Sequence, residues 1–245
     1  MDPNGRTALV TGGARMGRAV GESLARLGCH VAFTFRASRE RAEEAAAAVR
    51  AAGARGLAIE ADLARREAIG ALVSRVAQEL GGPDILICMA SRYVRSEFSS
   101  LDRAAWRDGL RTDLESVYHL ALEAAPLMRR RGGGRIITLA DWLPASGRPR
   151  YRGYLPYYVA KAGVVALSEG LALELAPEIL VNVIAPGPII APPGLEEAGH
   201  REVLEATPLR RWGGAAEIAK AVRFLIESDF VTGETIRVDG GRHLN

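Results

Sequence analysis

A doubly wound α/β fold, one parallel sheet with helices on both faces, is the class this 245-residue chain predicts. Three observations lead there. Short aliphatic or β-branched runs recur without polar alternation, longer Ala/Leu/Glu/Arg segments of helical period separate them, and no repeat occurs at solenoid spacing. Strands that lack alternation are buried on both faces, and a single helix between successive strands requires parallel crossovers. With 48% hydrophobic residues the chain suffices for one substantial core, so a single domain over 1–245 is expected.

The elements follow in order. Strands are expected at 7–10, 30–35, 56–61, 85–89, 135–139, 180–184 and 235–238, and helices at 17–27, 38–52, 65–80, 101–130, 157–176 and 215–227. The run Ala45-Ala46-Ala47-Ala48 supplies helix propensity to the second helix. Helix 101–130 ends on Arg129-Arg130-Arg131 before Gly132-Gly133-Gly134, which sets cations at the negative end of the dipole and glycines at the stop. The Pro- and Gly-containing segment 186–208 is the one long irregular or weakly helical connection, and long connections in compact domains usually serve as lids or binding loops.

Bulk properties narrow the function. The net charge of +3 and pI near 9.1 come from scattered arginines, with no aromatic-plus-basic module to bind nucleic acid. Cys29 and Cys88 are too few for a disulfide framework, and no metal site is expected. The first residues lack a charged-then-apolar leader and no apolar stretch approaches spanning length, so a soluble cytoplasmic protein is expected, with no membrane partner.

In such sheets ligands bind at the carboxyl ends of the strands. After the first strand, Thr11-Gly12-Gly13-Ala14-Arg15-Met16-Gly17-Arg18 leads into an amphipathic helix. Glycines let backbone approach a pyrophosphate, and the helix N-terminus supplies amide donors and a favourable dipole. The second strand runs out at Arg36, followed by Ser38, where a cofactor without a 2′-phosphate usually meets a carboxylate. A guanidinium and a hydroxyl suit a 2′-phosphate, which favours NADPH over NADH; the plainer alternative is one more surface arginine. Asp62, followed by Leu63 after the third strand, either accepts from the adenine amino group or caps the next helix.

Tyr157 and Lys161 stand four apart in Tyr157-Tyr158-Val159-Ala160-Lys161, on one helix face, in a chain whose only other lysine is Lys220. A fixed ammonium near a phenol lowers a pKa that is ordinarily about 10, so Tyr157 is expected to act as a general acid or base.

These residues resemble the short-chain dehydrogenase/reductase family, which has a Rossmann fold. The likeness covers the Thr11-Gly12 start, Asp62, the end of strand four, Tyr157-x-x-x-Lys161, Asn182-Val183-Ile184-Ala185-Pro186-Gly187, and Val231-Thr232-Gly233 through Asp239-Gly240-Gly241. Where that family usually has Asn-Asn-Ala-Gly, Ser and a helix Asn, this chain has Cys88-Met89-Ala90-Ser91, Asp141 and Asp113, and its glycine turn is one residue short. Several of these changes are similar to the branch of pteridine and bacterial dihydromonapterin/dihydrofolate reductases, as is the ending Asp239-Gly240-Gly241-Arg242-His243-Leu244.

The resemblance implies that Arg15 approaches cofactor phosphate and substrate, that Ala90 and Ser91 border the cofactor or pterin, and that Tyr93 stacks a pterin against nicotinamide. It further implies that Lys161 holds the ribose, that Asp113 takes part in a proton relay, and that Pro186, Gly187 and the Ile189 backbone border the nicotinamide. Asp141 would assist Tyr157, because an ionised carboxylate repels a ketone oxygen yet recognises a heterocycle that presents N–H groups. Simpler roles stay open: a turn cap for Asp141, a loop aromatic for Tyr93, and a surface carboxylate paired with Arg111 or Arg107 for Asp113. The implied function is NADPH-dependent reduction of a pteridine or related C=N substrate. The alternatives are reduction or oxidation of ketones, 3-oxoacyl thioesters or sugars, or a non-catalytic NADP(H) sensor. A homo-oligomer, tetramer before dimer, is expected through helices 101–130 and 157–176.

Overall fold

The computed structural model describes residues 1–12, 16–147, 152–192 and 194–245. Seven parallel strands form one sheet: β1 Thr7–Thr11, β2 His30–Phe35, β3 Gly56–Glu60, β4 Ile85–Cys88, β5 Gly134–Leu139, β6 Ile179–Pro186 and β7 Thr235–Val238. Their order is β3-β2-β1-β4-β5-β6-β7, so the strand order reverses between β1 and β4. That switch point opens a crevice at the carboxyl edge, where doubly wound sheets take their ligands. Every residue of β1, β4 and β5 is buried, as the unalternated runs require.

Helices cover both faces. α1 (Gly17–Ala25), α2 (Arg39–Ala51) and α9 (Ala215–Glu227) enclose one core with Val20, Leu24, Val49, Ile218 and Val222 against the sheet. On the other face α3 (Arg66–Leu80), α5 (Ser116–Arg130) and α7 (Leu155–Leu175) contribute Ile69, Val76, Leu120, Met128 and Val164. Leu120 and Met128 are wholly buried, each contributing about 1.5–3 kcal/mol by area. Away from the crevice, buried Asp84 accepts from Thr7 N at 2.9 Å and from Arg131 Nε and Nη2 at 2.8 and 3.0 Å. This ties the start of the sheet to the end of α5.

Three departures from the expected elements bear on the crevice. The helix expected over 101–130 is α4 (Arg103–Leu110), a π turn at Arg111–Glu115, and α5. A π turn widens the helix and swings Asp113, buried at 1% exposure, toward the sheet. A short helix, α6 (Trp142–Ser146), follows β5 where the sequence pattern predicts none; Asp141 caps it by accepting from Leu143 N at 2.9 Å. The connection 186–208 contains a full helix, α8 (Glu197–Glu205). No helix among the described residues is long and apolar enough to cross a membrane, and none of their His, Cys, Asp or Glu side chains cluster as a metal site.

Candidate active site

A cleft of about 690 Å³ follows the carboxyl edge from the β2 end to α8. At its β2 and β3 end lie Arg36 and Ser38, both exposed, with Asp62 and Leu63 beside them. Ser38 occupies the N-cap position of α2 yet makes no side-chain capping bond, so its hydroxyl is not spent on the helix. Neighbouring Arg39 is committed to Glu60 at 2.7 Å and lies 5.0 Å over the Phe35 ring, whereas Arg36, which lines the cleft, has no side-chain partner among the described residues. Asp62 accepts from Ala64 N at 3.1 Å, so it shapes the turn into α3 as well as facing the cleft.

The glycine turn shows why its first glycine is needed. Gly12 has φ +71°, and a Cβ there would lie 2.3 Å from Ala90 Cα and 2.5 Å from Ala90 N. The ends of β1 and β4 therefore touch backbone to backbone at the switch point, with Thr11 Oγ1 accepting from Met89 N and Ala90 N. Met16 precedes α1 and lines the cleft, and Gly17 opens the helix with its Cα face against Val10. Arg15, with Gly13 and Ala14, lies outside the described residues. Gly12→Ala is expected to cost about 1–3 kcal/mol from strain at a positive φ, plus the displacement of Ala90. Chemical denaturation together with dinucleotide titration checks this, and a variant of native stability and affinity would contradict it.

The centre of the cleft brings together residues far apart in the chain. Lys161 is 3% exposed, and its Nζ donates to Leu139 O at 2.8 Å and sits 5.8 Å from the Tyr157 ring centroid. Tyr157 Oη donates to Asp141 Oδ2 at 2.8 Å. Asp113 Oδ2 accepts from Ser91 Oγ at 2.7 Å and Asp113 Oδ1 from Arg92 N at 2.6 Å, clamping the segment after β4 onto the π turn. Asp113 is thus no surface carboxylate paired with Arg111 or Arg107. Tyr93 stacks on Tyr154 with centroids 4.5 Å apart and planes 14° apart, and meets Tyr157 edge-on at 4.9 Å. Half exposed on the segment after β4, Tyr93 lines the cleft.

The electrostatics overturn one expectation. Tyr157 is held well above the ordinary phenol value, first by burial, then by the charge and hydrogen bond of Asp141, with Asp113 and Tyr93 adding to it. Lys161 does not depress it, because the ammonium is turned to the Leu139 carbonyl while a carboxylate sits on the hydroxyl. Burial also raises the Asp141 carboxyl, against the opposing Leu143 N–H, Tyr157 and Lys161. Lys161 is lowered by burial, with Asp113 and Asp141 pulling the other way. The Cys88 thiol, beneath Lys161, is pushed up to about 12 by burial, so it is an inert neighbour.

The far end is formed by the connection after β6 and by the C-terminus. Asn182 spans β6 and the approach to β7, donating to Val231 O at 2.8 Å and accepting from Glu234 N at 3.1 Å. Pro186, Gly187 and Ile189 border the cleft. A Cβ on Gly187 would lie 2.5 Å from Asp239 Cβ, so close approach of the two chain segments requires glycine. The Ile189 carbonyl accepts from Gly214 N at 2.8 Å, which leaves its N–H as the backbone group able to meet a ligand. Sequence reasoning missed Trp142, Trp212 and Arg242 as cleft residues. They come from α6, the segment after α8 and the C-terminal turn, and share no local motif.

Comparison with known proteins agrees with this layout. A family model described as "Enoyl-(Acyl carrier protein) reductase" matches residues 13–243. The 3-oxoacyl-[acyl-carrier-protein] reductase of Staphylococcus aureus is 33% identical over 245 residues, covering 98% of each chain. A putative short-chain alcohol dehydrogenase from Sinorhizobium meliloti superposes with a TM-score of 0.92 at 32% identity, over 100% of this chain and 98% of the other. The FolM alternative dihydrofolate reductase 1 of Brucella canis, complexed with NADP, superposes with a TM-score of 0.90 at 29% identity, over 100% and 97%.

Proposed function

Because the chain belongs to the short-chain dehydrogenase/reductase family and is an oxidoreductase, we propose that it is an NADPH-dependent reductase whose preferred substrate is a pteridine-like heterocycle reduced at C=N. One observation carries the substrate class: Tyr157 Oη donates to a carboxylate, Asp141, rather than to a hydroxyl. A carboxylate beside the proton donor repels the oxygen of a developing alkoxide but accepts from the N–H and amino groups of a heterocycle. Tyr93, at the cleft wall and edge-on to Tyr157, offers a flat face at the same place.

The relatives support a second reading more directly. The S. aureus relative is by name a 3-oxoacyl-[acyl-carrier-protein] reductase, and a ketone or 3-oxoacyl thioester is on comparison alone the better-supported substrate. The B. canis structure is the weaker pointer to a pterin. The burial-raised pKa of Asp141 is what would allow the carbonyl reading, because a protonated carboxyl can donate as serine does.

The residues present fit a nicotinamide dinucleotide. Lys161 uses one of its three protons on Leu139 O, the β1–α1 turn begins at the switch point, and Arg36 and Ser38 stand at the far end for a 2′-phosphate. Such a cofactor, when bound, supplies hydride. Tyr157, kept as a phenol by burial and Asp141, gives its proton to the substrate nitrogen. The phenolate left behind recovers its proton from water, with the Asp141 carboxylate at hydrogen-bond distance as the group that can relay it. Lys161, with two protons left over from Leu139 O, would also orient the ribose hydroxyls.

Cofactor oxidation measured with 7,8-dihydrobiopterin and with an acetoacetyl thioester decides between the substrates. Faster turnover of the thioester would overturn the heterocycle reading, and no turnover of either with tight NADPH binding would return the chain to a sensor. For the cofactor, Arg36→Glu is expected to weaken NADPH by about 10–100-fold, the loss of one or two charge-assisted hydrogen bonds, and to spare NADH. Fluorescence titration with both dinucleotides checks it, equal losses counting against a 2′-phosphate contact. The expected homo-oligomer is supported by exposed Tyr118 and Leu122 on α5 and Leu173 on α7.

A further inference from the structure

The α8 end of the cleft holds donors that the protein does not use on itself. Trp212 Nε1 is buried and has no hydrogen-bond partner among the described residues, yet the residue lines the cleft. Buried polar groups are almost always paired, so an unpaired indole N–H on a cleft-lining residue points to an acceptor supplied from outside. Arg242 lines the same cleft with its guanidinium 5.6 Å from the Trp142 ring centroid, stacked rather than paired. Among the described residues the guanidinium, with five donors, makes one hydrogen bond, a 3.5 Å contact to Val203 O.

Both groups are fixed by the same helix. His200 meets the Trp212 ring edge-on at 5.7 Å, and Val203, three residues further along α8, receives Arg242. The Arg242 backbone is held between two anchored neighbours, since Asp239 accepts from Gly241 N at 3.0 Å, His243 N at 3.0 Å and His243 Nδ1 at 2.7 Å. The carboxylates among the described cleft residues are Asp62, at the β3 end, and Asp141, bonded to Tyr157. No acidic side chain lining the cleft is therefore bonded to Arg242.

We propose that Arg242 and Trp212 Nε1 form an oxyanion subsite that binds a carboxylate or phosphate on the part of the substrate remote from the reducible bond. The proposal rests on the reductase reading and deepens it: the substrate is an acid, held at one end by its charge and reduced at the other.

The test compares anionic and neutral members of two substrate pairs, dihydrofolate with 7,8-dihydrobiopterin for a carboxylate, and acetoacetyl coenzyme A with ethyl acetoacetate for a phosphate. In Arg242→Met the preference for the anionic member, as a ratio of kcat/KM, is expected to fall about 10–100-fold through KM, as befits a lost charge-assisted hydrogen bond. Arg242→Lys should restore part of it, and Trp212→Phe should lower it by a smaller factor. The pair that responds identifies the anion. A ratio unchanged by Arg242→Met, or a loss shared equally by both members and by the KM for NADPH, overturns the subsite. Should wild type reduce none of the four, calorimetric titration with the same compounds separates the two claims. Arg242-dependent tighter binding of the anionic member keeps the subsite while the reductase reading fails, and equal binding ends both.

Discussion

Tyr157→Phe is expected to lower turnover by about 10²–10⁴-fold, the range a positioned proton donor contributes, while NADPH affinity stays near that of the parent. The ring would keep its edge contact with Tyr93 and its place near Lys161, so only the hydroxyl and its bond to Asp141 are removed. Cofactor oxidation and dinucleotide titration on the same preparation measure both halves. Full activity in the variant would end the proton-donor role, and lost NADPH affinity would show that the hydroxyl serves binding instead. The same residue sets a pH dependence. A phenol held well above its ordinary value is protonated at neutral and moderately alkaline pH, so the reduction rate should show no decline from Tyr157 deprotonation up to about pH 10. A rate falling with an apparent pKa near 7 would instead reveal a phenol depressed by Lys161.

The direction of that shift marks the boundary of what the chain discloses unaided. Offsets within one helix are legible, which is why Tyr157 and Lys161 were placed together. The group that governs the hydroxyl is Asp141, 16 residues away and brought in by the end of β5. The strands were legible because both faces of a parallel sheet demand unbroken apolar runs, and the seven expected strands correspond to β1–β7 with boundary shifts of a few residues. The break in helix 101–130 was not. Nothing in Arg111-Thr112-Asp113-Leu114-Glu115 disfavours an ordinary helix, and the π turn accompanies a tertiary clamp of Ser91 and Arg92 N on Asp113. α8 was obscured by the prolines and glycines around it, although Glu197–Glu205 itself contains one glycine and no proline. Trp212 carries no local signal, and the C-terminal motif that contains Arg242 does not announce a cleft role, because the place of both comes from sharing one helix as a support.

Asp141→Ser is expected to exchange the substrate preference. Serine is a good N-cap, so the bond to Leu143 N that starts α6 survives and the fold cost should be within about 1 kcal/mol. The negative charge beside Tyr157 disappears, and with it two of the three largest causes that raise the phenol pKa. A heterocycle that donated to the carboxylate loses a charge-assisted hydrogen bond of about 1.5–3 kcal/mol, or roughly 10–150-fold in kcat/KM. An acetoacetyl thioester gains a hydroxyl donor for its developing alkoxide in place of a repelling charge, and its kcat/KM should rise. Opposite movements on the two substrates are the signature of a residue that selects substrate chemistry, whereas a parallel fall on both would reduce Asp141 to the cap of α6. Because both numbers come from one protein sample, loss of folded enzyme cancels from their ratio, and a ratio that does not move is the result the heterocycle reading cannot survive.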